Sequence, residues 1–136
     1  MKFEIIGNLN NPLIMMLTGS FYPSSGLKYL YEKLKDAYCL ILPEYNGHYE
    51  NSTFTTRQNE AKELIEYIQK QNVHTIKMIY GQSMGAEIAI ELFKQLEKTN
   101  ISVEYCFLDG TPCIKLPYLY KKFMYFKFNQ ILKMMK

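Results

Sequence analysis

The segment Gly81-Gln82-Ser83-Met84-Gly85 sets a serine midway between two glycines, each two residues away. That spacing serves nucleophilic chemistry. A serine at the apex of a very tight strand-to-helix turn takes strained backbone angles and projects its hydroxyl clear of the chain, while glycines at −2 and +2 remove the Cβ atoms that would collide. A helix that starts at the serine turns its unpaired N–H groups and the positive end of its dipole toward any oxyanion formed there, with the Met84 N–H as one donor. The competing reading is an ordinary Gly-rich turn that opens a helix and holds an anion. Such a turn needs no apolar residue at Met84 and often carries a lysine after its last glycine.

A serine hydroxyl needs a base, and the chain offers two histidines, His48 and His74. His74 stands at the start of the strand expected over Thr75–Tyr80, whose far end leads to Ser83, so at ~3.3 Å per residue it lies ~20 Å or more from the hydroxyl. His48 follows the carboxyl end of its own strand, on the side of an open sheet where ligands bind, yet two strand spacings set it ~10 Å sideways from Ser83. A role in packing or in lining a pocket suits it better than that of base.

These residues must be positioned by a sheet. Apolar runs rich in strand-formers recur at Leu13–Thr18, Tyr38–Leu42, Thr75–Tyr80 and Val103–Leu108, each near-continuous in the way of strands buried on both faces. The helices that would cover them are present. Leu27, Leu30, Tyr31 and Leu34 fall at i, i+3, i+4, i+7, as do Ala61, Leu64, Ile65 and Ile68, and Ile88, Ala89, Leu92, Phe93 and Leu96 form a third stripe. Strict alternation of strand and helix predicts an α/β fold of three layers, α/β/α, built on a doubly wound, mainly parallel sheet. Leu13–Thr18 and Thr75–Tyr80 should be central, with Tyr38–Leu42 flanking the first and Val103–Leu108 the second. Residues 2–6 add an edge strand, turned back by the Gly, Asn and Pro of residues 7–12.

Composition narrows the function. A 136-residue chain, 48% hydrophobic and 21% charged, is that of one folded domain. Its net charge of +3 comes from the tail alone. Six lysines and no acid lie between Lys115 and Lys136, whereas the first 114 residues carry ten basic side chains against thirteen acidic. With a single arginine, Arg57, and no basic patch on the body, nothing supports nucleic-acid readout. The apolar stretch Leu13–Leu17 is too short for a membrane span or a signal-peptide core, so the expected location is the cytoplasm. Cys39 and Cys106 fall in expected strands and read, with Cys113, as reduced thiols, buried in the two strand positions. No cysteine sits in a metal-ligand spacing, and no metal or cofactor is implied.

Together the serine turn, the loop Pro43-Glu44-Tyr45-Asn46-Gly47-His48 and the strand end Phe107-Leu108-Asp109-Gly110 resemble the α/β-hydrolase family in the right order. The resemblance covers nearly all of residues 3–112. It implies a serine hydrolase acting on carboxylic esters or similar small acyl substrates, with Ser83 as nucleophile. Thr18-Gly19-Ser20-Phe21 stands in the place of the family's oxyanion segment, which makes the Ser20 N–H the second donor beside that of Met84. Asp109 matches the place where some members carry the catalytic acid; an aspartate before Gly-Thr-Pro can equally cap a turn through its own side chain.

Members normally continue through a cap and two more strand-helix units that supply acid and histidine. By that comparison the chain divides into a core at 1–112 and the start of a helical lid or cap at 113–136, and it ends before the catalytic histidine. The alternative is a truncated, non-catalytic binding or interaction module. Leu119, Phe123, Phe126 and Met134 lie near one face of the lysine-rich tail; the start of a cap is the reading preferred over a segment that rests on a membrane surface, and membrane contact is not expected. The strand Val103–Leu108 would be left with an open edge, predicting self-association there or folding of the segment Tyr118–Met135 across it.

Overall fold

The computed structural model describes residues 1–110 and 117–134. Cys113 and the expected boundary between residues 112 and 113 lie outside them. In chain order the elements are β1 (Lys2–Ile6), β2 (Leu13–Leu17), a 3-10 turn (Ser24–Leu27) running into α1 (Lys28–Leu34), and β3 (Cys39–Glu44). They are followed by α2 (Arg57–Lys70), β4 (Thr75–Gln82), α3 (Met84–Leu96), β5 (Ser102–Asp109) and α4 (Tyr118–Met134).

One five-stranded sheet runs in the order β1-β3-β2-β4-β5. β2, β3, β4 and β5 are parallel, and β1 is antiparallel to β3, with Lys2 opposite Glu44. The order is the expected one, with the connection reversing direction between β2 and β4.

Alternation along β2 explains the three layers. Ile14 and Met16 point to one face, where they meet Leu27 and Tyr31 of the turn and α1, with Leu40, Leu42 and Tyr80. Leu13, Met15 and Leu17 point to the other, onto Ala61, Leu64, Ile65 and Ile68 of α2 and Ile88, Ala89, Leu92 and Leu96 of α3. All five β2 residues are buried, as a central strand requires. Thr56 caps α2, its hydroxyl accepting from the Asn59 N–H at 3.1 Å.

β5 departs from expectation. Its run reads as a strand buried on both faces, yet Tyr105 and Phe107 are 61% and 59% exposed, and Cys106, expected to be buried, is exposed too. For the two rings the cause is position: β5 is the last strand of the sheet among the described residues, and α1 packs over β2 and β3, so no described helix covers the α1 side of β5. Nor does α4 supply one, because Tyr118, Leu119, Phe123, Tyr125 and Phe126 are themselves more than half exposed. Cys39 is buried, as expected, and burial pushes its thiol pKa up. No helix among the described residues is long and apolar enough to cross a membrane.

A polar knot fixes the loop after β3. Glu60, fully buried on α2, accepts from the backbone N–H of Asn46 at 3.1 Å and from its side-chain amide at 3.0 Å. The same amide donates to Glu63 at 2.8 Å, and the Met1 ammonium donates to both Asn46 Oδ1 and Glu63 at 2.8 Å. Desolvation raises the Glu60 pKa, outweighing the Asn46 hydrogen bonds that lower it. A carboxyl raised on folding takes up protons as the chain folds, so its contribution favours the fold at low pH and declines as pH rises from its unfolded pKa through the folded one. Urea melts across pH 4–8 (roughly, the window around the ordinary carboxyl value) are expected to show this decline flattened in Glu60→Gln. An identical slope in the variant would remove Glu60 as its source.

Candidate functional site

At the end of β4 the chain turns directly into α3 through Ser83, which has φ 51° and ψ −114°. That conformation is sparsely populated by residues with a side chain and is held only where its surroundings over-determine it. They do so here. The Ser83 N–H donates to the Asp109 carbonyl at 2.8 Å, and the Ser83 carbonyl accepts from the N–H groups of Ala86 and Glu87 at 3.0 and 3.2 Å. The serine itself is exposed.

Both flanking glycines are required by space. A Cβ on Gly81 would meet the Ala86 Cα at 2.8 Å, and one on Gly85 would fall on the carbonyl oxygens of Leu17 and Thr18. The turn is thus wedged against the end of β2, where the loop Thr18–Tyr22 begins. Met84 and Gly85 open the first turn of α3, whose N–H groups have no partner within the helix.

The loop after β2 passes beside the serine. A Cβ on Gly19 would sit 3.4 Å from the Ser83 Cβ. Buried Thr18 anchors this loop, its carbonyl accepting from the fully buried Tyr45 hydroxyl at 3.1 Å, and burial pushes the Tyr45 pKa far up, keeping the phenol neutral. Phe21 takes a left-handed conformation at φ 58° and projects into solvent. Gly19, Ser20, Phe21, Tyr22, Gln82, Ser83, Asp109 and Gly110 line an open cleft of about 610 Å³.

Ser83, Ser20 and Asp109 therefore share one cleft, and Met84 borders it as the residue after Ser83. The Asp109 carboxylate accepts from the Tyr80 hydroxyl at a long 3.4 Å. Burial, with the neighbouring Tyr29 and Asp109, pushes the Tyr80 pKa up to about 12, so this phenol is a donor and not a base at neutral pH.

The histidines fall where strand spacing places them. His48 is stacked on Phe21, with ring centroids 6.1 Å apart, and edge-on to Tyr45 at 5.5 Å. It lines a second cavity of about 250 Å³, of which Phe21 and Tyr22 form the wall shared with the Ser83 cleft. His74 precedes β4 at the opposite end of the sheet, its carbonyl accepting from the Ser102 N–H at 2.9 Å. Sequence reasoning missed Tyr45 and Tyr80. Tyr45 lies inside the Pro43–His48 segment already singled out, and Tyr80 directly precedes Gly81, so their places along the chain were the available signals.

No family model matches the chain, and no curated protein matches it. Solved structures do. An α/β-hydrolase family protein from Desulfitobacterium hafniense is similar at a TM-score of 0.80 and 25% identity, over 90% of this chain and 49% of that one. A carboxylesterase of the thaumarchaeon Nitrososphaera gargenis gives 0.72 and 18%, over 90% and 46%. An esterase from a marine microorganism gives 0.68 and 20%, over 79% and 40%. The chain spans about half the length of these structures or less. With its mainly parallel five-stranded sheet and its flanking helices, it has an incomplete α/β-hydrolase fold.

Proposed function

We propose that this chain is the nucleophile-bearing part of a serine hydrolase acting on carboxylic esters or similar small acyl substrates. The observation that carries the reading is the strained Ser83 at φ 51°, exposed in a cleft with the Gly19 backbone against its Cβ. In this mechanism Ser83 Oγ attacks the acyl carbonyl carbon, the carbonyl π pair moves to oxygen, and the N–H groups of Met84 and Ser20 donate to the resulting oxyanion. Collapse of the tetrahedral species expels the alcohol and leaves an acyl-serine, which water then hydrolyses. The Ser83 proton passes to a base supplied from outside this sequence. Asp109 is the candidate acid to orient that base; its 3.4 Å contact with Tyr80 is loose enough to leave the carboxylate available.

One observation favours a second reading, that of a non-catalytic module keeping the cleft for binding. Neither histidine lines the Ser83 cleft. Hydrolysis of p-nitrophenyl acetate by the chain and by Ser83→Ala separates the two. The catalytic reading expects slow turnover above background that disappears in the variant. Equal rates in both proteins would leave the binding module standing.

A further inference from the structure

We propose that the cavity of about 250 Å³ beside the Ser83 cleft binds a small quaternary or methylated ammonium ion, held by the rings of Phe21 and Tyr22 and by the Glu44 carboxylate. The inference does not depend on the catalytic reading.

The cavity is walled by two loops, residues 18–24 after β2 and 43–48 after β3. β2 is paired on both sides, to β3 and β4, and β3 is paired to β1 and β2. The site therefore rests on the interior of the sheet, on its β2–β3 side.

Its aromatic walls are set in advance. Phe21 is 70% exposed, yet it keeps φ 58°, a conformation that a bulky side chain rarely adopts, and its ring stacks with that of His48. Backbone strain of this kind collects at active sites and ligand clamps. The Tyr22 ring lies against Gly26, where an added Cβ would collide with it, and the Tyr22 hydroxyl donates to the Gly26 carbonyl at 3.4 Å. Rings already fixed lose little freedom when a ligand arrives.

Charge selects the class of ligand. Glu44 lines the cavity, half-buried, and makes no ion pair among the described residues. Glu4 stands diagonally from it on the same face of the β1–β3 pair and accepts from the hydroxyl of Ser24, another lining residue, at 2.8 Å. No lysine or arginine lines the cavity. Lys2 is opposite Glu44 in the register, but its ammonium lies over the Tyr49 ring, 4.3 Å from the centroid. Carboxylates and aromatic faces attract a cation and repel an anion. Pro23 and Pro43 complete a largely apolar lining, which suits a cation clothed in methyl groups better than a strongly hydrated one. The volume lies below the ~300–1,000 Å³ usual for drug-sized ligands, so the ligand is a small one.

His48, also in the lining, supplies the reporter. It is one of two histidines, and His74 at the opposite end of the sheet is the internal control. Tetramethylammonium chloride is titrated in mildly alkaline buffer, with sodium chloride at matched ionic strength beside it. The imidazole proton signals are followed by NMR and assigned with His74→Gln. The expected result is a saturating shift of the His48 signals in the millimolar range, with His74 unmoved. The uncharged compound tert-butanol, of similar shape, is expected to bind at least ~10-fold more weakly, because it lacks the charge that the rings and the carboxylate attract. Glu44→Gln and Phe21→Gly should each raise the dissociation constant at least ~5-fold. Glycine is chosen at position 21 because it keeps a positive φ without strain.

A shift that never saturates, or that His74 shares, would overturn the proposal. Equal binding of tert-butanol would do the same, since the cavity would then be merely apolar, and so would a Glu44→Gln protein that binds as well as the unaltered chain. Should a variant fail to fold, the comparison of the two ligands on the unaltered chain decides alone.

Discussion

Gly85→Ala is expected to cost at least the upper end of the ~1–3 kcal/mol seen for overpacked cores, and to leave much of the chain unfolded. The added methyl would fall on the carbonyl oxygens of Leu17 and Thr18, which are backbone and cannot rotate away. Relief requires α3 to lift off the end of β2, yet Leu17, Ala86, Ile88 and Ala89 are all fully buried where those elements meet. Domains hold only ~5–15 kcal/mol of net stability, and a short one sits low in that range. Gly19→Ala is the matched control, because its methyl meets nothing nearer than the Ser83 Cβ at 3.4 Å, an ordinary contact. Urea unfolding followed by far-ultraviolet circular dichroism should show the first variant grossly destabilised and the second close to the unaltered chain. Similar midpoints for both would mean that the serine turn is not wedged against β2.

Labelling of Ser83 by a fluorophosphonate is expected to be slower by several powers of ten than in an enzyme with a complete triad. Such probes report a serine whose proton is being taken. His48 lies beyond the wall formed by Phe21 and Tyr22, His74 is at the far end of the sheet, and Tyr80 holds its proton to about pH 12. A nucleophile in that state keeps what oxyanion stabilisation and binding provide, on the order of 10³–10⁴ over water. Mass spectrometry after timed exposure would measure the rate, with His48→Ala beside it. Fast stoichiometric labelling that collapses in His48→Ala would show that Phe21 and Tyr22 move aside and that His48 is the base.

Much of this architecture was legible because its signals are local. The two glycines around Ser83, at fixed offsets, encode the turn without reference to anything distant, and the stripes of α2 and α3 encode which side faces the sheet. β5 was misread for the converse reason. Val103–Leu108 has the same apolar character as Leu13–Thr18, and exposure of Tyr105, Cys106 and Phe107 depends on what lies beside the strand, which its own composition does not record. The bonds from Tyr45 to Thr18 and from Tyr80 to Asp109 join residues 27 and 29 apart, and only the assembled sheet brings them together. The same holds for Glu60, whose burial depends on Asn46, 14 residues away, folding over it.

On the proposed catalytic reading, the positive-φ backbone of Ser83 sets stability and reactivity against each other at a single residue. A side chain held in so sparsely populated a conformation costs of order 1–3 kcal/mol, whereas glycine visits positive φ freely and gives back only ~0.5–1 kcal/mol through its looser unfolded state. On thermodynamic grounds alone this position favours glycine, because the strain belongs to the Cβ that carries the hydroxyl. Random drift in a lineage that had no use for the hydroxyl would run downhill here. A stabilisation campaign scored on melting temperature would follow the same slope and erase the chemistry first, so residues 81–85 are the ones such a campaign has to leave untouched.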